Sequence, residues 1–168
     1  MLRTSQTVSA ALTRPSDTTA YASGDLVANS TTAGSVTLLS WSIPDGGIWL
    51  RRIRLTSSNP NVTSASFRLW LTTDSAVTFT NGDNGALAVS GSSLAIGDVL
   101  AAVDVGLDAL ATGVGALGTA TFDPGLLPLY AASYANGRGT IYGFMEARAV
   151  YTPASAEVFT IHMRGDTI

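Results

Sequence analysis

The sequence predicts an all-β fold, a two-sheet β-sandwich or barrel behind an extended N-terminal arm. Three observations predict it. Apolar and polar residues alternate with period two over Phe67–Thr72 and Val158–Arg164, the signature of half-buried strands. Gly-, Pro- and Asn-rich turns divide such segments at fairly regular intervals. Charged residues make up only 12% of the chain, against about 25% in an ordinary soluble domain, so solubility rests on Ser, Thr, Asn and Gly. A Thr- and Ser-rich, charge-poor chain suits strands better than helices.

The elements follow in order. Residues 1–34 are rich in Thr, Ser and Ala, and read as an arm with one short strand near Leu26-Val27. Residues 35–168 read as the β domain. Val36 and Leu38, then Trp41 and Ile43 in a shifted phase, predict a strand ending at Pro44. Pro44-Asp45-Gly46-Gly47 is a turn, because proline presets φ and glycine supplies positive φ. Ile48–Leu55 is the next strand, and Asn59-Pro60-Asn61 turns the chain again. In Phe67–Thr72, Phe67, Leu69 and Leu71 share one face, with Arg68, Trp70 and Thr72 on the other. Residues 94–111 fit a helical face or a strand, and Gly97 and Gly106 tip the reading to strand. Residues 112–139 read as a Gly/Pro-rich loop with short strands near Thr119–Phe122 and Leu127–Tyr130. Ile141–Tyr151 and Val158–Arg164 close the chain as strands joined by a turn at 152–155.

A chain of 168 residues fits one domain with its own core. All nine basic residues are arginines, which excludes a Schiff-base or phosphate-loop lysine. No cysteine occurs, so thiolate metal sites, disulfides and Cys nucleophiles are excluded. A net charge of −3 argues against a nucleic-acid partner. The apolar stretch from Leu94 to Leu117 is broken by Asp98, Asp104 and Asp108, and Met1–Val8 has no apolar core of signal-peptide length, so neither a membrane partner nor export is expected. Asn29-Ser30-Thr31 and Asn61-Val62-Thr63 match the glycosylation pattern, which has no meaning without export.

Each candidate for chemistry meets an obstacle. Gly113-Val114-Gly115-Ala116-Leu117-Gly118 spells the dinucleotide fingerprint, but a strand-like segment follows where a helix must begin. His162, the sole histidine, has no nucleophile elbow to serve and reads as a surface or interface residue beside Thr160 and Arg164. Asn81, Asp83 and Asn84, with Asp74, offer oxygen ligands for calcium, but they miss the spacing of a calcium loop and its closing Glu. Arg164-Gly165-Asp166 is a three-letter coincidence with an integrin-read tripeptide. Glu146 and the scattered aspartates form no acid–base pair. The expectation is therefore no enzyme, no cofactor and no metal. Arg51, Arg52 and Arg54 form the one basic cluster, with Arg52 and Arg54 on one face of their strand and Arg51 on the other, and they suit bidentate contact with carboxylates.

Three segments resemble a family of small structural proteins of tailed bacteriophages that decorate the head. These are Thr13-Arg14-Pro15-Ser16-Asp17-Thr18-Thr19-Ala20-Tyr21 through Val27, Ser66–Leu71 followed by Asp83-Asn84-Gly85-Ala86, and Ile141-Tyr142-Gly143-Phe144 through Tyr151–Ser155 to Ile161. The resemblance implies a jelly-roll-like sandwich and a cement role on the capsid surface, with the major capsid protein as partner and the virion head as location. A mean hydropathy of +0.29 leaves apolar surface for self-contact, and three-fold lattice positions would match a homotrimer. The expected contacts are Leu2, Arg3, Val8, Leu12 and Arg14 of the arm, with Arg51, Arg52 and Arg54. The competing expectation is a tail or fibre-tip module that binds host surface carbohydrate.

Overall fold

The computed structural model describes residues 4–62, 64–90, 98–110, 115–121, 127–131 and 134–168. Among these there is no α-helix, and so no helix long and apolar enough to cross a membrane. The strands are β1 (Ser5–Thr13), β2 (Leu26–Val27), β3 (Leu39–Pro44), β4 (Ile48–Ser57), β5 (Ala65–Thr72) and β6 (Val99–Ala109). They continue with β7 (Ala116–Thr121), β8 (Leu127–Leu129), β9 (Tyr134–Ala135), β10 (Arg138–Ala147) and β11 (Val158–Thr167). The fold is all-β, as the alternation predicts, and the ambiguous stretch is a strand from Val99 to Ala109.

These strands form one strongly curled antiparallel sheet in the order β1-β11-β4-β7-β6-β5-β10-β2. β3 and β9 also pair with β10, and β8 pairs with β4. β6 joins the halves: Val99–Leu107 pairs with β5, and Asp108–Ala109 with β7. The curl brings β1 alongside β3 and closes both halves over one core. There Phe67 meets Phe159 edge-on at 5.2 Å, and the Trp41 indole N–H donates to the Ile161 carbonyl at 3.2 Å.

Two expectations need correction. The arm is not free: β1 pairs with β11 along all nine residues, from Ser5↔Asp166 to Thr13↔Val158. Its small and polar residues alternate with Gln6, Val8, Ala10 and Leu12, which face inward. Arm composition and edge-strand composition look alike until the partner strand is known. Nor do β10 and β11 form a hairpin. β10 lies between β5 and β3, β11 between β1 and β4, and residues 148–157 cross from one half to the other.

A second core lies on the outer side of β5 and β10. Leu26, Ala28, Val77, Phe79 and Phe144 are buried there, and Trp70 stacks on Phe144 at 6.1 Å. Residues 77–89 thus cover the outer face of this half. Glycines permit two close approaches. A Cβ on Gly118 would stand 1.9 Å from the Gly106 carbonyl oxygen, so β6 and β7 meet only because Gly118 has no side chain. A Cβ on Gly165 would stand 2.5 Å from the Trp49 carbonyl oxygen.

Candidate functional site

Most of the buried polar groups are structural. Asp83 is buried and holds three segments together. Its Oδ2 accepts from Arg14 Nη2 at 2.6 Å, and its Oδ1 accepts from the Tyr21 hydroxyl at 2.6 Å and the Ala28 amide at 2.7 Å. Arg14 Nε also donates to the Tyr21 hydroxyl. Burial first, and then the Asp83 carboxylate, hold the Tyr21 hydroxyl well above its ordinary range. Burial alone would pull Arg14 down, but the Tyr21 oxygen and Asp83 outweigh it, so its guanidinium is held above its ordinary value. Asp83 is thus a clamp. Asp74 likewise accepts from the Ala76 amide at 2.7 Å, and among the described residues no group of three His, Asp or Glu stands ready for a metal.

Both glutamates are committed as well. Glu157 is buried and accepts from the Tyr151 hydroxyl at 2.7 Å, the Ala154 amide at 2.9 Å and the Ser57 hydroxyl. Tyr151 in turn accepts from the Asn59 amide at 2.9 Å and stacks on Tyr21 at 6.5 Å, which links the two networks. Glu146 accepts from the Trp70 indole at 2.9 Å and from Arg148 at 2.7 Å. Among the described residues, no buried side-chain nitrogen or oxygen lacks a partner. A network so fully satisfied is a rigidifying device.

Of the fingerprint glycines, Gly115 and Gly118 serve packing: a Cβ on Gly115 would stand 2.4 Å from the Ser57 carbonyl oxygen. Gly113 and Val114 lie outside the described residues, and Ala116–Thr121 is the strand β7 where a helix N-terminus would be needed. Arg164-Gly165-Asp166 lies inside β11, hydrogen-bonded to β1 on one edge and β4 on the other.

The outer face of β1, β11 and β4 is different. Arg164 stands directly opposite Arg52, and His162 directly opposite Arg54. Thr7 and Ser9 of β1 continue these rows, and Thr119 flanks Arg54 from β7. Leu50 and Ile53 both face the core, three residues apart, which strict alternation cannot achieve. A bulge solves this: the register slips between Arg164↔Arg52 and Gly165↔Leu50, leaving Arg51 as the extra residue of β4. The predicted split of Arg51 from Arg52 therefore fails, and both are exposed. Arg51 meets Asp166 at 2.6 Å. Arg164 donates to the Ser5 hydroxyl at 3.3 Å, while Arg52, Arg54 and Arg164 have no carboxylate within ion-pair distance among the described residues. Burial first, and then the charge of Arg54, push the His162 imidazole below its ordinary value. Two depressions adjoin here. One of about 210 Å³ is lined by Thr7, Arg52, Arg54, His162 and Arg164; the other, of about 430 Å³, by Ser5, Arg51, Arg52, Arg164 and Asp166. An apolar gap of about 10 Å³ inside the core has no room for a ligand.

Of the expected contact residues, then, Arg51, Arg52 and Arg54 share one exposed face. Leu12 is buried in the core, Val8 packs against that core, and Arg14 is sealed in the Asp83 clamp, so none of these three presents its side chain outward. Leu2 and Arg3 lie outside the described residues. Sequence reasoning missed Arg164 as a member of the cluster. The alternation of β11 put it beside His162, but nothing local says that β11 pairs with β4. Searches against protein-family models, curated proteins and solved structures find no match to this chain.

Proposed function

We propose that this protein is a structural virion protein that binds the outer capsid surface of a tailed phage and stabilises it. Three segments resemble head-decoration proteins, and the observation that carries binding is the arginine face of β4 and β11. A chain of net charge −3 gathers four of its nine arginines there, three without a carboxylate among the described residues. Arginine forks fit carboxylates bidentately, so a protein surface that supplies acidic groups completes the face. The two halves of the sheet folded over one core are compatible with a jelly-roll-like sandwich. Exposed Tyr130 and Ile168, both standing against the Gly47 turn, offer an apolar patch for a homotrimer.

The test is to add the purified protein to capsids assembled without it. Saturable co-sedimentation and greater resistance of the capsids to heat are expected, with both lost in Arg52→Thr/Arg164→Thr. No co-sedimentation at micromolar protein defeats the proposal, and a monomer by light scattering defeats the trimer. The second reading, a module for host surface carbohydrate, draws on a depression of about 250 Å³ where Tyr142 sits with Thr73, Ser75 and Thr140. Glycan binding abolished by Tyr142→Ala would favour it.

A further inference from the structure

The arginine face has a geometry that narrows its partner, and this inference rests on reading the protein as one that binds other protein. We propose that the face of β11 and β4 receives an extended acidic segment whose carboxylates alternate, at positions i and i+2.

Like charges directly opposite across a sheet are destabilising, and here Arg52 stands opposite Arg164, with a third arginine, Arg54, in the next row opposite His162. Elsewhere among the described residues each arginine has a partner. Arg14 pairs with Asp83, Arg68 with Asp104, Arg148 with Glu146, and Arg138 is bonded to Ser42. The concentration of positive charge on this one face is a local cost that a ligand would remove.

Rows two residues apart along a strand lie roughly 7 Å apart, the same distance that separates side chains i and i+2 of an extended ligand. Such a ligand presents one carboxylate to Arg52 and Arg164 and the next to Arg54 and His162. The side chains around the rows, Ser5, Thr7, Ser9 and Thr119, are short and hydroxylated. An extended chain can lie down among the long arginines, with hydroxyls in reach of its backbone. A helix, about 10–12 Å across, would ride on the arginine heads instead. The bulge turns Arg51 outward at the end of the row, where Asp166 holds it as a further, oriented donor.

A nucleic acid carries a phosphate about every 1.7 Å of duplex, and the net negative charge of this chain opposes so dense a partner. Two spaced carboxylates suit the face without that penalty.

The experiment measures fluorescence anisotropy of labelled twelve-residue Ser/Thr/Gly peptides against the full chain. They carry two Glu at i,i+2 or at i,i+1, and an Ala-rich helical peptide carries them at i,i+4. The i,i+2 peptide is expected to bind tightest and to weaken in added salt. It should lose about tenfold or more in affinity in Arg52→Thr/Arg164→Thr, the scale of a lost charge-assisted bond. The variant's melting temperature should equal or exceed the parent's, which shows that the loss is not unfolding. Equal binding of all three peptides, tighter binding of the helical one, or equal binding by single-stranded DNA of matched charge overturns the proposal. The capsid assay separates this inference from the reading beneath it. Capsid binding that survives the double variant and is not competed by the i,i+2 peptide defeats the acidic-segment site and leaves the virion role standing. Peptide binding as expected with no capsid binding does the reverse.

Discussion

The two outer faces of this sheet are treated in opposite ways. Over β5 and β10 the chain covers itself: residues 77–89 lie across Trp70 and Phe144, and Asp83 anchors the adjoining loop to Arg14, Tyr21 and Ala28. Over β4 and β11 nothing of the described chain covers the sheet, and arginines stand opposite arginine and histidine. Buried charges are acceptable when each is bonded, and here each is. Exposed like charges are tolerable because water screens them, but they contribute nothing to the fold. Satisfied polar groups therefore mark where this protein holds itself together, and the open arginines are where the proposed partner would sit.

Breaking the clamp should have the largest effect. Asp83→Ala leaves the buried Arg14 guanidinium with only the longer carboxylate contact to the partly exposed Asp17 at 3.4 Å, and the Ala28 amide without an acceptor. A loss of about 3–5 kcal/mol is expected in urea unfolding, as for a buried pair with one partner removed. A loss under about 1 kcal/mol, the scale of an exposed pair, would show that the clamp is wet. Deletion of residues 2–19 should be as severe, because it removes β1 and Arg14 together. It tests folding before it tests anchoring.

Glu157→Gln should cost less, about 1–3 kcal/mol, since the amide keeps the shape but turns a donor toward hydroxyls that also donate. Its unfolding midpoint against that of Asp83→Ala ranks the two networks.

On the open face the sign should reverse. Arg52→Thr or Arg164→Thr removes one member of a like-charge cross-strand pair and installs a good strand former. Stability should stay level or rise by about 0.2–1 kcal/mol. Clear destabilisation would mean that these arginines serve the fold and would erase the contrast between the faces.

The smallest effect concerns pH. The folded-state value of His162 lies below its unfolded value of about 6.5. The folded state then resists protonation more than the unfolded state does. The stability tied to the neutral imidazole is present above about pH 6.5 and is lost as pH falls from there through the folded value. Burial first, and then Arg54 opposite, produce the resistance; Arg52 and Arg164 stand in the next row, while Ser9 and Thr7 bring no charge. His162→Gln should flatten this limb of a melting-temperature profile, modestly, because the ring is half-exposed.

How much of this was legible beforehand differs residue by residue. Phe67, Leu69 and Leu71 announced their shared face, and all three are buried. Gly97 and Gly106 were enough to turn an ambiguous stretch toward strand, and β6 is one from Val99. Arg51 was assigned the wrong side because a bulge changes phase without any residue type that demands it. Asp83 read as a turn residue or an ion ligand because its partners, Arg14 and Tyr21, lie 69 and 62 residues away. The arm read as an arm because the strand that it pairs with begins at Val158.

By itself, then, the sequence determined an all-β fold, most strand positions, and a residue inventory without Lys or Cys and with a single His. Those properties are local: a two-residue period and a residue count need no knowledge of neighbours. Only the tertiary structure decided that β1 belongs to the sheet, that β11 lies beside β4, and that one set of charges is sealed and another left open. Whether a charge is a clamp or a contact depends on what stands within about 4 Å of it, and in a sheet that is fixed by strand pairing across the whole chain.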